Sequence, residues 1–313
     1  MKPVILIPII LGSALLITGG VILGLGIKNS VSSNDVVTNE FKIEEEVSKF
    51  DINIDTANLE FKVAEGDAKV VLQEKKKLFH ETSLKDGVLK ITTVDQRPWY
   101  EKMFTWGPMK VTVCVPASEY AELKIKIATG SIVVPNDFTF ENASSYASTG
   151  DLSFKATVKE TLDVKASTGK VNLSDFTAKN IVVNTSTGDI SLNSVEVTEK
   201  IDVKASTGNI KLVGAKANDI DAKASTGKVT LTNTLVVNHV NIKTNTGDVK
   251  FEDSDADTLS IKTDTGDVKG TLLTSKIFYA KTDTGKINVP KTTEGGLCEI
   301  ETDTGDINIQ IKG

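Results

Sequence analysis

The residues best placed to do chemistry in this chain stand in columns rather than in a cluster. Two residues before a recurring glycine come Ser167, Ser186, Ser206 and Ser225, then Asn245, Asp264, Asp283 and Asp303. One residue after it stand Asp248, Asp267, Lys286 and Asp306. Carboxylates presented once per unit supply the hard oxygen ligands that Ca²⁺ takes, so Asp264, Asp267, Asp283, Asp303 and Asp306 are the metal candidates. Against a metal, the Gly-Gly-x-Gly-x-Asp calcium repeat is absent, and Lys243, Lys262 and Lys281 precede Asn245, Asp264 and Asp283 by two residues on the same face. Lateral Lys–Asp neutralisation and Asx-type bonds to the turn backbone explain the column without an ion.

A second candidate is aromatic. The stretch Arg97 to Pro108 holds both tryptophans of a chain that is only 5% aromatic. Trp99, Tyr100, Phe104 and Trp106 read either as a contact loop for a partner protein, a glycan or the membrane interface, where amphipathic rings are favoured, or as a plug folded over an apolar end. Catalytic machinery is not legible. His80 and His239 are isolated, and no Gly-x-Ser-x-Gly, phosphate loop or metal-type His/Cys spacing occurs. The expectation is a non-enzymatic protein with no catalytic residues and no cofactor. Cys114 and Cys298 are the only cysteines, and Cys298 falls in an inward-facing column, the place of a buried small hydrophobe. Net charge is −6, and past residue 28 there are 34 basic against 42 acidic residues, which argues against nucleic acid as a partner.

The elements that position these columns are set by one dipeptide. Thr-Gly recurs every nineteen or twenty residues, with glycines at Gly130, Gly150, Gly169, Gly188, Gly208, Gly227, Gly247, Gly266, Gly285 and Gly305. A fixed period of that length marks a repeat architecture. Two residues after each glycine the side chain is aliphatic, as at Ile132, Val171 and Ile210, while five and seven before it stand residues such as Val164, Val203, Leu162 and Ile201. Spacing by two is the strand period. The inward parity flips at the glycine, so Thr-Gly must be a corner that re-aims the chain and keeps both apolar sets in one core. Glycine suits it by reaching positive φ. Small residues three before the glycine, among them Ala166, Thr185, Ala205 and Thr263, fit the inside of that corner.

Two chain paths satisfy the pattern, a meander of hairpins with Thr-Gly at each tip and a parallel β-solenoid in which each unit stacks on the last. Column identity favours the solenoid, because stacking places like on like at about 4.8 Å. The expected fold is therefore all-β, a parallel β-solenoid (β-helix) of about ten 19–20-residue coils with an irregular β N-terminal cap, preceded by one transmembrane helix. The uncharged apolar run 4–27 is long enough to span a bilayer. Lys2 before it and Glu44, Glu45 and Glu46 after it orient the N-terminus to the cytoplasm and the rest outside; a cleaved signal peptide is the alternative. The expected division is an anchor at 1–28, a polar tether at 29–40, an irregular β cap at 41–116 with a hairpin turn at Asp86-Gly87, and the Thr-Gly solenoid at 117–313.

An N-terminal span, an irregular strand region closing in Val111-Thr112-Val113-Cys114-Val115-Pro116, and Thr-Gly units from Thr129 to Ile309 together resemble a known group. This is the bacterial β-strand-repeat family of unknown function often labelled putative adhesin, and the likeness covers about residues 41–313. The resemblance implies an envelope-exposed β-solenoid without established activity, and it carries over no catalytic residue. The functional expectation is a membrane-anchored cell-envelope protein, single-pass through 4–27, with residues 29–313 extracellular. It would serve as an adhesin or an envelope structural or stress-related binding module, with an envelope protein or glycan as partner. Two alternatives stand beside it. One is a scaffold that self-associates through an uncapped C-terminal solenoid end, at the strand Asp306 to Ile311 guarded by Lys312. The other is a calcium-dependent surface domain.

Overall fold

The structure, a computed structural model, describes residues 36–102 and 109–312. The apolar run 4–27 lies outside the described residues, as do Phe104 and Trp106. Among the described residues no helix is long and apolar enough to cross a membrane.

The first coils are built from β1 (Val37–Lys42), β2 (Lys49–Thr56), β3 (Asn58–Val63), β4 (Lys69–Glu74), β5 (Leu78–Lys85), β6 (Val88–Asp95), the helical turn α1 (Trp99–Lys102), β7 (Lys110–Val115), β8 (Glu119–Thr129) and β9 (Ile132–Val134). From β8 onward one unit repeats, a long strand, a Thr-Gly corner and a short strand. The next unit, Thr139–Thr149 and Leu152–Phe154, lies parallel to β8 and β9 with Thr149 opposite Thr129 and Leu152 opposite Ile132. That register continues through Thr168, Thr187 and Thr207. The path is a parallel β-solenoid and not a meander. Among the described residues its long strands make one sheet of 13 strands and its short strands another of 14.

The corner works by a stricter rule than positive φ alone. The ten Thr-Gly glycines have φ between 137° and 158°. At Gly208 an added Cβ would also lie 2.1 Å from the carbonyl oxygen of Gly188 in the coil before. The glycines stack on one another, and only an absent side chain lets successive corners approach within hydrogen-bonding reach, Gly208 N–H donating to the Thr226 carbonyl at 2.9 Å. Parity flips here as expected, since Ala205 and Ile210 are both buried while Thr207 between them is exposed. Inward threonines at the corner satisfy their hydroxyls on glycine carbonyls: Thr263 donates to that of Gly247 at 3.2 Å and Thr302 to that of Gly266 at 3.1 Å, both in the stacked coil, and Thr185 to that of Gly188 in its own turn at 3.2 Å. A second corner, six residues after the glycine, holds Asp175, Ser194, Gly214, Asn233 and Asp253 at φ between 48° and 61°. Short polar side chains tolerate that left-handed conformation.

Both ends depart from chain order. At one end β2 and β3 lie under β8 and β9, β6 and β7 lie beneath them, and β4, β5 and β1 close the stack by antiparallel pairing. Asp86-Gly87 forms the expected tight turn between β5 and β6, with φ of 51° and 72°, the signature of a type I′ hairpin. At the other end the last pair in sequence, Gly296–Thr304 and Ile307–Ile311, is intercalated. It sits between the coil of Thr258–Thr265 and Val268–Leu272 and the outer pair Lys276–Thr284 and Ile287–Asn288. The expectation that the Asp306 to Ile311 strand is the bare end is thus corrected. Lys312 guards no edge and instead pairs with Asp253 at 2.6 Å. The physical reason is apolar burial. Ile300, Ile307 and Ile309 are at most 2% exposed in the intercalated pair, so the more aliphatic coil takes the place with two neighbours. The outer coil puts Lys276, Ala280 and Thr282 at inward positions, and its short strand stops before Pro290.

Candidate functional site

The acidic corner column is resolved into two roles. One residue after the glycine, each carboxylate or amide reaches the next coil's backbone, not its own turn. Asp151 accepts the Lys170 N–H at 2.8 Å, Asp189 that of Asn209 at 2.8 Å, and Asp248 that of Asp267 at 3.1 Å. Asp267 accepts the Asp306 N–H at 2.7 Å and Asp306 that of Lys286 at 2.9 Å, following the exchanged order of the coils. The Lys269 ammonium, 2.6 Å from Asp267, and the Asp306 amide together hold the Asp267 carboxyl below its ordinary range. Asp264, Asp283 and Asp303, two before the glycine, are exposed. Asp283 faces Lys281 at 3.7 Å, whereas Lys262 turns to Glu301 at 3.2 Å rather than to Asp264. Among the described residues no group of three or more His, Cys, Asp or Glu is placed to hold a metal ion.

The aromatic loop occupies the corner between β6 and β7, where later coils carry Thr-Gly. Its base is a clamp. Arg97 grips Asp95 through Nε at 2.9 Å and Nη2 at 3.0 Å, and the guanidinium holds the Asp95 carboxyl down at about 2. Glu101 meets Lys77 at 3.3 Å, tying α1 to β5's approach. On this clamped turn Trp99 and Tyr100 are 76% and 56% exposed, packed edge to face with centroids 6.0 Å apart. Those two side chains are therefore presented to solvent and do not plug the core; among the described residues of this corner Met109, 1% exposed, is buried.

Two residues read as isolated have partners. His80 is buried beside Glu74, with Nδ1 at 3.2 Å from Oε2 and its backbone N–H donating to the same oxygen at 2.7 Å. Asn39 donates to the other Glu74 oxygen at 2.7 Å. The antiparallel turn from β4 to β5 brings this pair together, and the sequence pattern gives no cue to that pairing. His239, half-buried, lies 2.9 Å from the Thr258 hydroxyl. Cys298 is fully buried, and burial pushes its thiol up to about 12. Both cysteines are free thiols.

A feature the sequence analysis missed lies on the outer face of the short-strand sheet. Lys211, Lys228 and Lys250 surround a cleft of about 410 Å³ floored by Thr230, with Thr232 and Glu252 along one side. Short Thr230 between the stacked Lys211 and Lys250 makes the notch. Glu252 answers Lys250 and accepts from Thr232 at 3.1 Å. Three ammonium groups against Glu252 and against Asp248, which lies 3.9 Å from Lys228, leave the notch with a small excess of positive charge in a chain of net charge −6. The legible signal was the Lys-Thr-Lys order three residues after successive glycines.

With this geometry in view, comparison with known proteins decides the family. The Toastrack DUF4097 family model matches residues 47–200 and 196–313. The chain belongs to the Toastrack DUF4097 family. This is the domain-of-unknown-function group that the Thr-Gly units resemble. No curated protein matches the chain. Among solved structures, the Toastrack chain is similar to a putative adhesin from Bacteroides fragilis at 14% identity. The match covers 89% of this chain and 98% of that one at a TM-score of 0.45. A putative lipid binding protein from Parabacteroides distasonis matches at 13% identity, over 89% and 97% of the two chains, with a TM-score of 0.45.

Proposed function

We propose that this Toastrack chain is a non-enzymatic envelope protein, anchored through residues 4–27 with residues 29–313 outside the cell, whose rod serves as an adhesin-type binding module. The observation that carries the reading is the exposed Trp99–Tyr100 pair, held on a clamped turn at the same end of the rod as β1, where the tether enters. Val37 follows Ile27 by ten residue steps, at most ~35 Å of extended chain. A cap that close to the bilayer would rest its aromatic turn against the interface, where Trp and Tyr are stable. The coils beyond then stand away from the surface and offer repeated outward columns, including the cationic notch at Lys211, Lys228 and Lys250, to envelope protein or glycan.

The reading is tested with the full chain in bilayers that contain brominated lipid, and by protease treatment of intact cells. Expected are quenched Trp99 emission in a Trp106→Phe background, and removal of the region after residue 29 by external protease. An outer region protected from external protease would overturn the orientation, and a discrete hydrolase activity in the purified chain would overturn the non-enzymatic assignment.

A further inference from the structure

Every Thr-Gly coil has a neighbour on both sides except the outer pair Lys276–Thr284 and Ile287–Asn288. Those strands pair only with Gly296–Thr304 and Ile307–Ile311, and among the described residues nothing pairs with their other edges. The edge is made of internal residues, so it does not depend on where the chain stops. The Thr284 carbonyl accepts the Gly305 N–H at 2.9 Å and so points into the stack. By the alternation of a strand, the outward N–H and C=O groups then belong to Ile277, Tyr279, Lys281 and Asp283. Apolar surface is uncovered with them: Tyr279 is 66% and Ile287 47% exposed, and inward Phe278 and Ala280 are only half-buried because no coil closes the core above them. At the opposite end the outermost strands, β1 and β5, are antiparallel additions to the coils; among the described residues this end has no such addition.

We propose that two copies of the chain join end to end here, with Lys276–Thr284 of one pairing antiparallel with the same strand of the other. Two sheet edges are open at once, at the spacing of the rod's own cross-section, and a second copy of this end presents two edges at that same spacing. A register centred on Ala280 is self-complementary. It sets Phe278 against the partner's Thr282, stacks Ala280 on the partner's Ala280, and lays Tyr279 beside the partner's Lys281, an ammonium over a ring face. Ile277 then meets the partner's Asp283, whose carboxylate stays at the solvent rim. Centring on Lys281 would oppose two ammonium groups, which disfavours that register. The contact is isologous, so it closes at two copies. It continues the hydrophobic core across the junction and removes an exposed edge that otherwise invites uncontrolled pairing. The inference stands apart from the anchoring reading.

The test is density-matched sedimentation of the full chain in detergent, alone and with two edge variants. Lys281→Pro deletes an outward N–H and none that faces the intercalated strand, a place where proline is tolerated. Tyr279→Lys adds a charge against the partner's Lys281. The expected result is a protein mass of two chains for the parent and one chain for each variant, with each variant keeping the parent's β-sheet circular dichroism. A parent that is monomeric at every concentration would overturn the proposal, and so would one that grows into open-ended polymers. A dimer that survives both variants would also overturn it. Should Lys281→Pro lose that dichroism signal, Tyr279→Lys alone decides.

Discussion

The middle of the rod and its two ends obey different rules. Between β8 and Val268–Leu272 each coil lies on the coil before it in sequence, Thr on Thr and Gly on Gly. At both ends chain order and spatial order part, with β2 and β3 between β8–β9 and the later β6–β7, and with the intercalated pair inside the outer one. The difference teaches how a repeat stops. A unit whose columns match on both sides has no internal reason to end, so the ends must carry residues that break the match. At one end these are Asp86-Gly87 and the antiparallel strands around it. At the other they are Lys276 and Pro290, which suit the outer coil to the last place.

The sharpest way to break this contrast is to give the middle an exception of its own. Gly208→Ala forces a Cβ to 2.1 Å from a backbone carbonyl at φ 144°. It should destabilise by roughly 4 kcal/mol or more. Gly66→Ala, in open space beside the cap, should change stability by less than about 0.5 kcal/mol. Urea melts of both variants check the pair. Next in size is the buried ion pair of the far end. Lys276, opposite Gly296 in register, reaches Asp255 at 2.8 Å, and both side chains are nearly buried. Lys276→Ala strands the carboxylate and should cost about 3 kcal/mol. Because repeats contact only their neighbours, hydrogen exchange should quicken over 276–312 and stay unchanged around Gly208.

A smaller effect separates the ladder at the corner from a metal site. Asp267→Ala removes a bond to one amide of the next coil and should cost about 1 kcal/mol, seen as a modest drop in melting temperature. Excess chelator should leave the melting temperature of the parent unchanged; a drop would favour the calcium alternative. The smallest is local to the cap. With its folded carboxyl near 2 against an ordinary 3.8, Asp95 stabilises the clamp above 3.8 and loses that contribution as pH falls through about 2. Tryptophan emission should therefore hold steady through 3.8 and shift around pH 2, and Asp95→Asn should abolish that step.

Much of this was legible in particular residues. The Thr-Gly period, the parity change at Thr207 and the small inward side chains at Ala205 and Thr263 already imply a stacked corner, because a period of two cannot reverse its face without one. Asp86-Gly87 announced its hairpin through residues that accept positive φ. The second corner was written just as plainly, in Asp175, Ser194, Gly214, Asn233 and Asp253, but as a column of different residue types sharing one conformation, so letter identity hid it. The cationic notch was missed for a related reason: a cavity on a solenoid face is made by a short residue between long ones in neighbouring coils, a relation across nineteen or twenty residues.

The sequence by itself determined the repeating unit, its inward and outward faces, and the neighbours of each coil in the middle, since identical columns leave one good register. Only the tertiary structure decided which coil takes the end, that His80 meets Glu74, and that Trp99 and Tyr100 face solvent. Those outcomes depend on competition for burial between segments far apart in the chain. The aliphatic column of Ile300, Ile307 and Ile309 is stabilised more by two neighbours than the column of Lys276, Phe278 and Ala280, and that difference exists only once both coils meet the same stack.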